Sequence, residues 1–91
     1  MSVRINIFYP GLQDYIGNPD QVVVAGATIG ECLNDLTKQF PGADKWLFNE
    51  KGQLLESVFV YINAESAQKA KLSDPVIDKD ELIIAMLLIG G

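Results

Sequence analysis

Apolar and polar positions alternate at the start of the chain. Val3, Ile5 and Ile7 are separated by Arg4 and Asn6, with Phe8 in phase with the polar set. A period of two predicts a strand with one buried face. Pro10-Gly11 ends it, and Gly17, Asn18, Pro19 and Asp20 mark residues 11–20 as a loop. Gln21 to Ala25, built on Val22, Val23 and Val24, predicts a second strand. Strand, loop, strand suggests an antiparallel hairpin with a loop longer than the tightest turns. The spacing then changes. Ile29, Cys32, Leu33, Leu36 and Phe40 recur at helical intervals, while Asn34, Asp35 and Lys38 lie mostly off that face. Thr28-Ile-Gly-Glu31 is a capping box: the Thr28 hydroxyl is placed to accept from the Glu31 amide, and the Glu31 carboxylate from the Thr28 amide. Pro41-Gly42 stops the helix, which is predicted over residues 28–40.

Trp46, Leu47 and Phe48 precede the turn-like Asn49-Glu50-Lys51-Gly52. A short helical turn followed by a loop or brief strand is expected there. Val58-Phe-Val-Tyr-Ile62 is β-branched and aromatic, a strand signal, and Asn63-Ala64-Glu65 closes it. Residues 66–81 are polar, with turns at Ser73-Asp74-Pro75 and Asp78-Lys79-Asp80. From Leu82 to Ile89 the chain is continuously apolar, which predicts a central strand buried on both faces. That run is too short to cross a bilayer, which takes about 20 apolar residues. Gly90-Gly91 follows. The order predicts one α+β domain, residues 1–91, with one main helix packed across a mixed sheet. The strands at 3–8 and 82–88 are expected to be parallel neighbours, joined by the long crossover such a pair requires.

Composition narrows the chemistry. The net charge is −5, with no basic stripe or cluster, which argues against nucleic acid and anionic membrane as partners and is compatible with a basic protein surface. The single cysteine, Cys32, and the absence of histidine exclude a disulfide framework, an intrachain four-cysteine cluster and the common zinc sites. They also remove the usual general base, so a Ser-His-Asp or Cys-His mechanism is unavailable. Cys32 lies on the apolar helix face, where a buried structural role outweighs a sulfur-handling one. Asp78, Asp80 and Glu81 fit a solvated turn better than a cation site, since hard cations want six or more oxygens in a shaped loop. No metal is expected. The first residues lack the apolar stretch of a signal peptide, so a cytoplasmic location is expected. Phe8, Phe59, Tyr61 and Met86 are candidates for a docking patch on the sheet face opposite the helix, with core as the alternative. Leu88 and Ile89 are further candidate partner-binding positions. Gly90-Gly91 is either a frayed end or a thin arm carrying a carboxylate.

Taken in order, these features resemble the ubiquitin-like sulfur carriers, whose members include the small subunit of molybdopterin synthase and the thiamin-pathway carrier. The resemblance rests on the opening strand Val3-Arg-Ile-Asn-Ile7, on Ala27-Thr-Ile-Gly-Glu-Cys-Leu-Asn-Asp-Leu36 with Phe40-Pro41 at the helix end, and on Val60-Tyr-Ile-Asn63. Leu72-Ser-Asp-Pro-Val-Ile-Asp-Lys-Asp-Glu-Leu82 and the terminal Gly90-Gly91 complete it. Two positions depart from the pattern. Lys79 stands where the family usually has glycine between two aspartates, and Met86-Leu-Leu-Ile89 replaces a segment often containing proline and small residues. The stretch from Gly52-Gln-Leu-Leu55 through Tyr61-Ile-Asn-Ala-Glu65 looks closer to carriers serving cysteine or related amino-acid biosynthesis. The resemblance implies a β-grasp fold and a role as protein co-substrate. An E1-like adenylating and sulfurtransferase enzyme would activate the Gly91 carboxylate with ATP, and sulfur delivery would give a thiocarboxylate, with Gly90 providing clearance. A downstream synthase would accept the sulfur. No bound cofactor is implied for the carrier itself. The alternatives are a modifier conjugated to lysines through Gly91, and a plain binding module.

Overall fold

The computed structural model describes residues 2–63 and 69–86. The N-terminal alternation forms β1 (Ser2–Phe8), followed by the short helix α1 (Pro10–Tyr15), β2 (Val22–Ala25) and the main helix α2 (Ile29–Gln39). A single-turn α3 (Asp44–Leu47), β3 (Val58–Ile62) and β4 (Glu81–Met86) complete the order. The sheet runs β2-β1-β4-β3. β1 is antiparallel to β2 and parallel to β4, and β4 is antiparallel to β3. The parallel central pair and the mixed sheet crossed by one main helix follow the sequence expectation, and the arrangement is the β-grasp fold. The part of the predicted last strand beyond Met86 lies outside the described residues.

One face of the sheet makes the core. Val3 and Ile5 of β1, Val60 of β3, and Leu82 and Ile84 of β4 are buried beneath Ile29, Cys32, Leu33 and Leu36 of α2. Each fully buried aliphatic side chain stabilises the fold by about 1.5–3 kcal/mol relative to exposure. The helix is aimed by its cap. Thr28 Oγ1 accepts from the Glu31 amide at 3.2 Å, as expected. Glu31 Oε1, however, accepts from the amide of Ala27 at 3.0 Å rather than from that of Thr28, so the box closes one residue further back.

Two expectations are corrected. Residues 11–20 are not all loop, because α1 occupies Pro10–Tyr15. Pro10 suits a first helical turn, where its missing N–H is not needed. Leu12 and Ile16, spaced by four, are both buried. Gly11 serves packing here: a Cβ on it would lie 2.6 Å from Cζ3 of Trp46. Trp46 in turn meets Tyr9 edge-on, with ring centroids 5.9 Å apart, and tethers α1 to α3. The second correction concerns β4. Leu82 and Ile84 are fully buried, but Glu81, Ile83 and Ala85 are only half-buried. The strand is central, yet only one of its faces is covered by helix. Its continuous apolar run therefore exposes an apolar sheet face.

Candidate functional site: the open face of the sheet

Alternation assigns the side chains opposite the core. Arg4, Asn6 and Phe8 of β1, Glu81, Ile83 and Ala85 of β4, and Phe59 and Tyr61 of β3 share the open face. Cross-strand register sorts them into rows. Phe8 and Phe59 both flank Ala85, while Asn6 and Tyr61 both flank Ile83. Arg4 is opposite Glu81 and pairs with it at 3.2 Å. The two ends of the face thus differ. At the Ser2 end polar groups satisfy one another: Gln21 Nε2 donates to Asn6 Oδ1 at 2.9 Å, and Asn6 Nδ2 donates to Glu81 Oε2 at 3.4 Å. At the other end Phe8, 65% exposed, with Ala85, Phe59, Ile83 and Tyr61, forms a mostly apolar patch. Contiguous apolar surface of this kind marks interaction sites. Lys69 rims the patch, its Nζ 4.4 Å above the Phe59 ring centroid.

Because β1 and β4 are parallel, the apolar end is also where β4 finishes, at Met86. The patch therefore borders the point from which the chain continues toward Gly90-Gly91. Three of the predicted docking residues, Phe8, Phe59 and Tyr61, are brought together here. Met86 is not among them. It has the parity of Leu82 and Ile84 and packs against the core cluster. Ile83 and Ala85, central to the patch, were hidden in the sequence by the unbroken apolar run; the strand register reveals them. Leu88, Ile89, Gly90 and Gly91 lie outside the described residues.

The start of β4 is held by side chains that take backbone amides. Asn63, at φ +60°, accepts from the Glu81 amide at 3.0 Å through Oδ1 and donates to Asp80 Oδ1 at 3.3 Å through Nδ2. Asp80 Oδ2 accepts from the Ile77 amide at 2.9 Å, and Asp78 Oδ1 from the Ser2 amide at 2.8 Å. The acidic turn is thus engaged by backbone N–H groups. Lys79 between the aspartates has φ +74°, the left-handed region that favours glycine, and its departure from the family pattern falls on a strained position. Cys32 is fully buried and free, and burial, with Glu31 and Asp35 adding to it, pushes its thiol pKa up. Such a thiol is a poor nucleophile, in keeping with a core role.

No family model matches the chain, and no curated protein does either. Solved structures do. SAMP1, small archaeal modifier protein 1, from Haloferax volcanii shares 26% identity at a TM-score of 0.84, covering 100% of both chains. The structure of the BexX/CysO complex from Amycolatopsis orientalis matches at 29% identity and a TM-score of 0.80, over 98% of this chain and 99% of that one. CysO from Mycobacterium tuberculosis, at 24% identity, a TM-score of 0.78 and 94% and 99% coverage, bears on the fold alone. The chain is a ubiquitin-like β-grasp protein. Its structural neighbours are ubiquitin-like sulfur carriers, the group that its own motifs resemble.

Proposed function

We propose that this chain is a cytoplasmic sulfur carrier that docks through its open face and presents Gly91 to an adenylating enzyme. The observation that carries the reading is the coincidence of two things at one end of the sheet: the apolar patch of Phe8, Phe59, Tyr61, Ile83 and Ala85, and the end of β4 that leads to Gly90-Gly91. A partner seated on the patch is placed to receive the arm. The Gly91 carboxylate attacks the α-phosphorus of ATP held by that partner and releases pyrophosphate. The outer sulfur of a persulfide then displaces AMP at the acyl carbon to give an acyl disulfide. A thiol reduces its S–S bond, leaving the thiocarboxylate on Gly91 and the donor sulfur in a disulfide with that thiol. Activation precedes transfer because a carboxylate is a poor electrophile and an acyl-adenylate has a good leaving group. Gly90 admits the backbone to a narrow channel where a side chain would obstruct.

The test is intact mass after reaction with the cognate adenylating enzyme, ATP, a persulfide donor and a thiol reductant. Wild type should gain the mass of a thiocarboxylate, and a chain lacking Gly91 should not. Full conversion of the deleted chain would refute this use of the terminus. The likeness to small archaeal modifier protein 1 favours a second reading, in which the same acyl-adenylate is passed to lysine amines. Lysine conjugates forming in place of thiocarboxylate would select it.

A further inference from the structure

Beside Phe8, between the end of β1 and α1, lies an open notch of about 420 Å³. We propose that it receives an arginine side chain of the partner that docks on the open face, an inference that rests on the docking reading above. Phe8 and Pro10 give it apolar walls, and Gln13, Asp14 and Asn18 give it polar ones. Asp14 is its one charged residue, exposed and without an ion-pair partner among the described residues. Gln13 Nε2 donates to the Pro19 carbonyl at 2.7 Å. Only the amide nitrogen can make that bond, so the orientation of the amide is fixed. Gln13 Oε1 is left buried with no donor among the described residues.

The unpaired charge of the notch is therefore the Asp14 carboxylate; Gln13 Oε1 is shut off from solvent and not open to an occupant. An apolar occupant would desolvate the Asp14 carboxylate without pairing it, which is costly. An acidic occupant would be repelled. A guanidinium meets each demand: it is always charged, carries five N–H donors in one plane, and stacks on an aromatic face while donating at its edge. The Phe8 ring, wall of the notch and most exposed member of the apolar row, supplies that face. A lysine ammonium offers charge without the plane. The notch adjoins the patch through Phe8, so a partner covering the row reaches it without a second contact surface. The chain's net charge of −5 has the right sign to draw such a partner in.

The experiment measures adenylation by the cognate enzyme, as pyrophosphate release, with the carrier varied to give its KM and kcat. Asp14→Lys is compared with Glu50→Lys, which makes the same change in net charge from an exposed turn outside the notch. Asp14→Lys should raise KM about tenfold with kcat little changed, and Glu50→Lys less than about twofold, as expected for a local contact as opposed to overall steering. Asp14→Asn should flatten the rise of KM with ionic strength, and Asp14→Glu should retain most of the wild-type behaviour. Equal effects of the two lysine variants, or an unchanged KM for Asp14→Lys in a protein that melts like wild type, would overturn the inference while leaving the carrier reading intact. No adenylation of wild type would overturn both.

Discussion

Asn63 tests whether a single side chain fixes the start of the strand that carries the docking patch. It ends β3 in a left-handed conformation, φ +60°, which asparagine tolerates better than most residues. Its side chain holds the Glu81 amide at 3.0 Å and the Asp80 carboxylate at 3.3 Å. Asn63→Ala removes both hydrogen bonds and places an ordinary Cβ in the left-handed region. The bonds are exposed, so each is worth the low end of about 0.5–1.5 kcal/mol. The left-handed cost adds about 1 kcal/mol. The expected loss is about 2 kcal/mol, or a fall of about 8–16 °C in Tm for a domain of this size. Asn63→Gly separates the two contributions. Glycine adopts the backbone angle freely, loses the bonds, and adds about 0.5–1 kcal/mol of unfolded-chain entropy. It should cost about 1.5–2 kcal/mol, no more than alanine. Urea denaturation of the three proteins gives the comparison, and amide exchange at Glu81 and Leu82 locates it. Alanine within about 0.5 kcal/mol of wild type would show that the clamp is idle. Glycine less stable than alanine would show that the backbone strain is smaller than glycine's entropy cost and refute the assigned value of about 1 kcal/mol.

Three further outcomes follow from the same geometry. Lys79→Gly relieves a residue at φ +74° and should be at least as stable as wild type, whereas Lys79→Val, β-branched at the same angle, should lose about 1–2 kcal/mol; reversal of that order in a melt refutes the strain argument. Ile83→Asp on the half-buried open face should fold yet bind an adenylating partner at least tenfold more weakly by calorimetry, whereas Leu82→Ala beneath α2 should cost about 2–5 kcal/mol of stability. The Cys32 thiol should resist alkylation at pH 8 in the folded protein, and its pH dependence has a definite sign. Its folded pKa lies above the unfolded one, so the native state holds the proton more tightly. Its contribution is whole below the ordinary thiol value of about 8.5 and is lost as the pH rises past it. Stability that increases from pH 8 to pH 10 would contradict the assignment.

What could be read from the sequence tracks where one physical signal dominates. The helix at 28–40 was legible because an amphipathic stripe, a capping box and Pro41 agree on it. The parallel central pair followed from order and from the apolar last strand. Residues 10–15 misled because Gly11, Gly17 and Asn18 read as loop, and only the pair Leu12 and Ile16 behind Pro10 hinted at a helical turn. β4 misled in a more instructive way. A continuous apolar run ordinarily means a strand covered on both sides. Here Leu82 and Ile84 are covered by α2, and Ile83 and Ala85 are not. In a chain with a single main helix, only one side of the sheet can lie beneath it. Apolar residues retained on the other side add little to the isolated fold and raise its risk of association. They fit a face that is covered part of the time, and this one ends where the chain departs toward its terminal glycines.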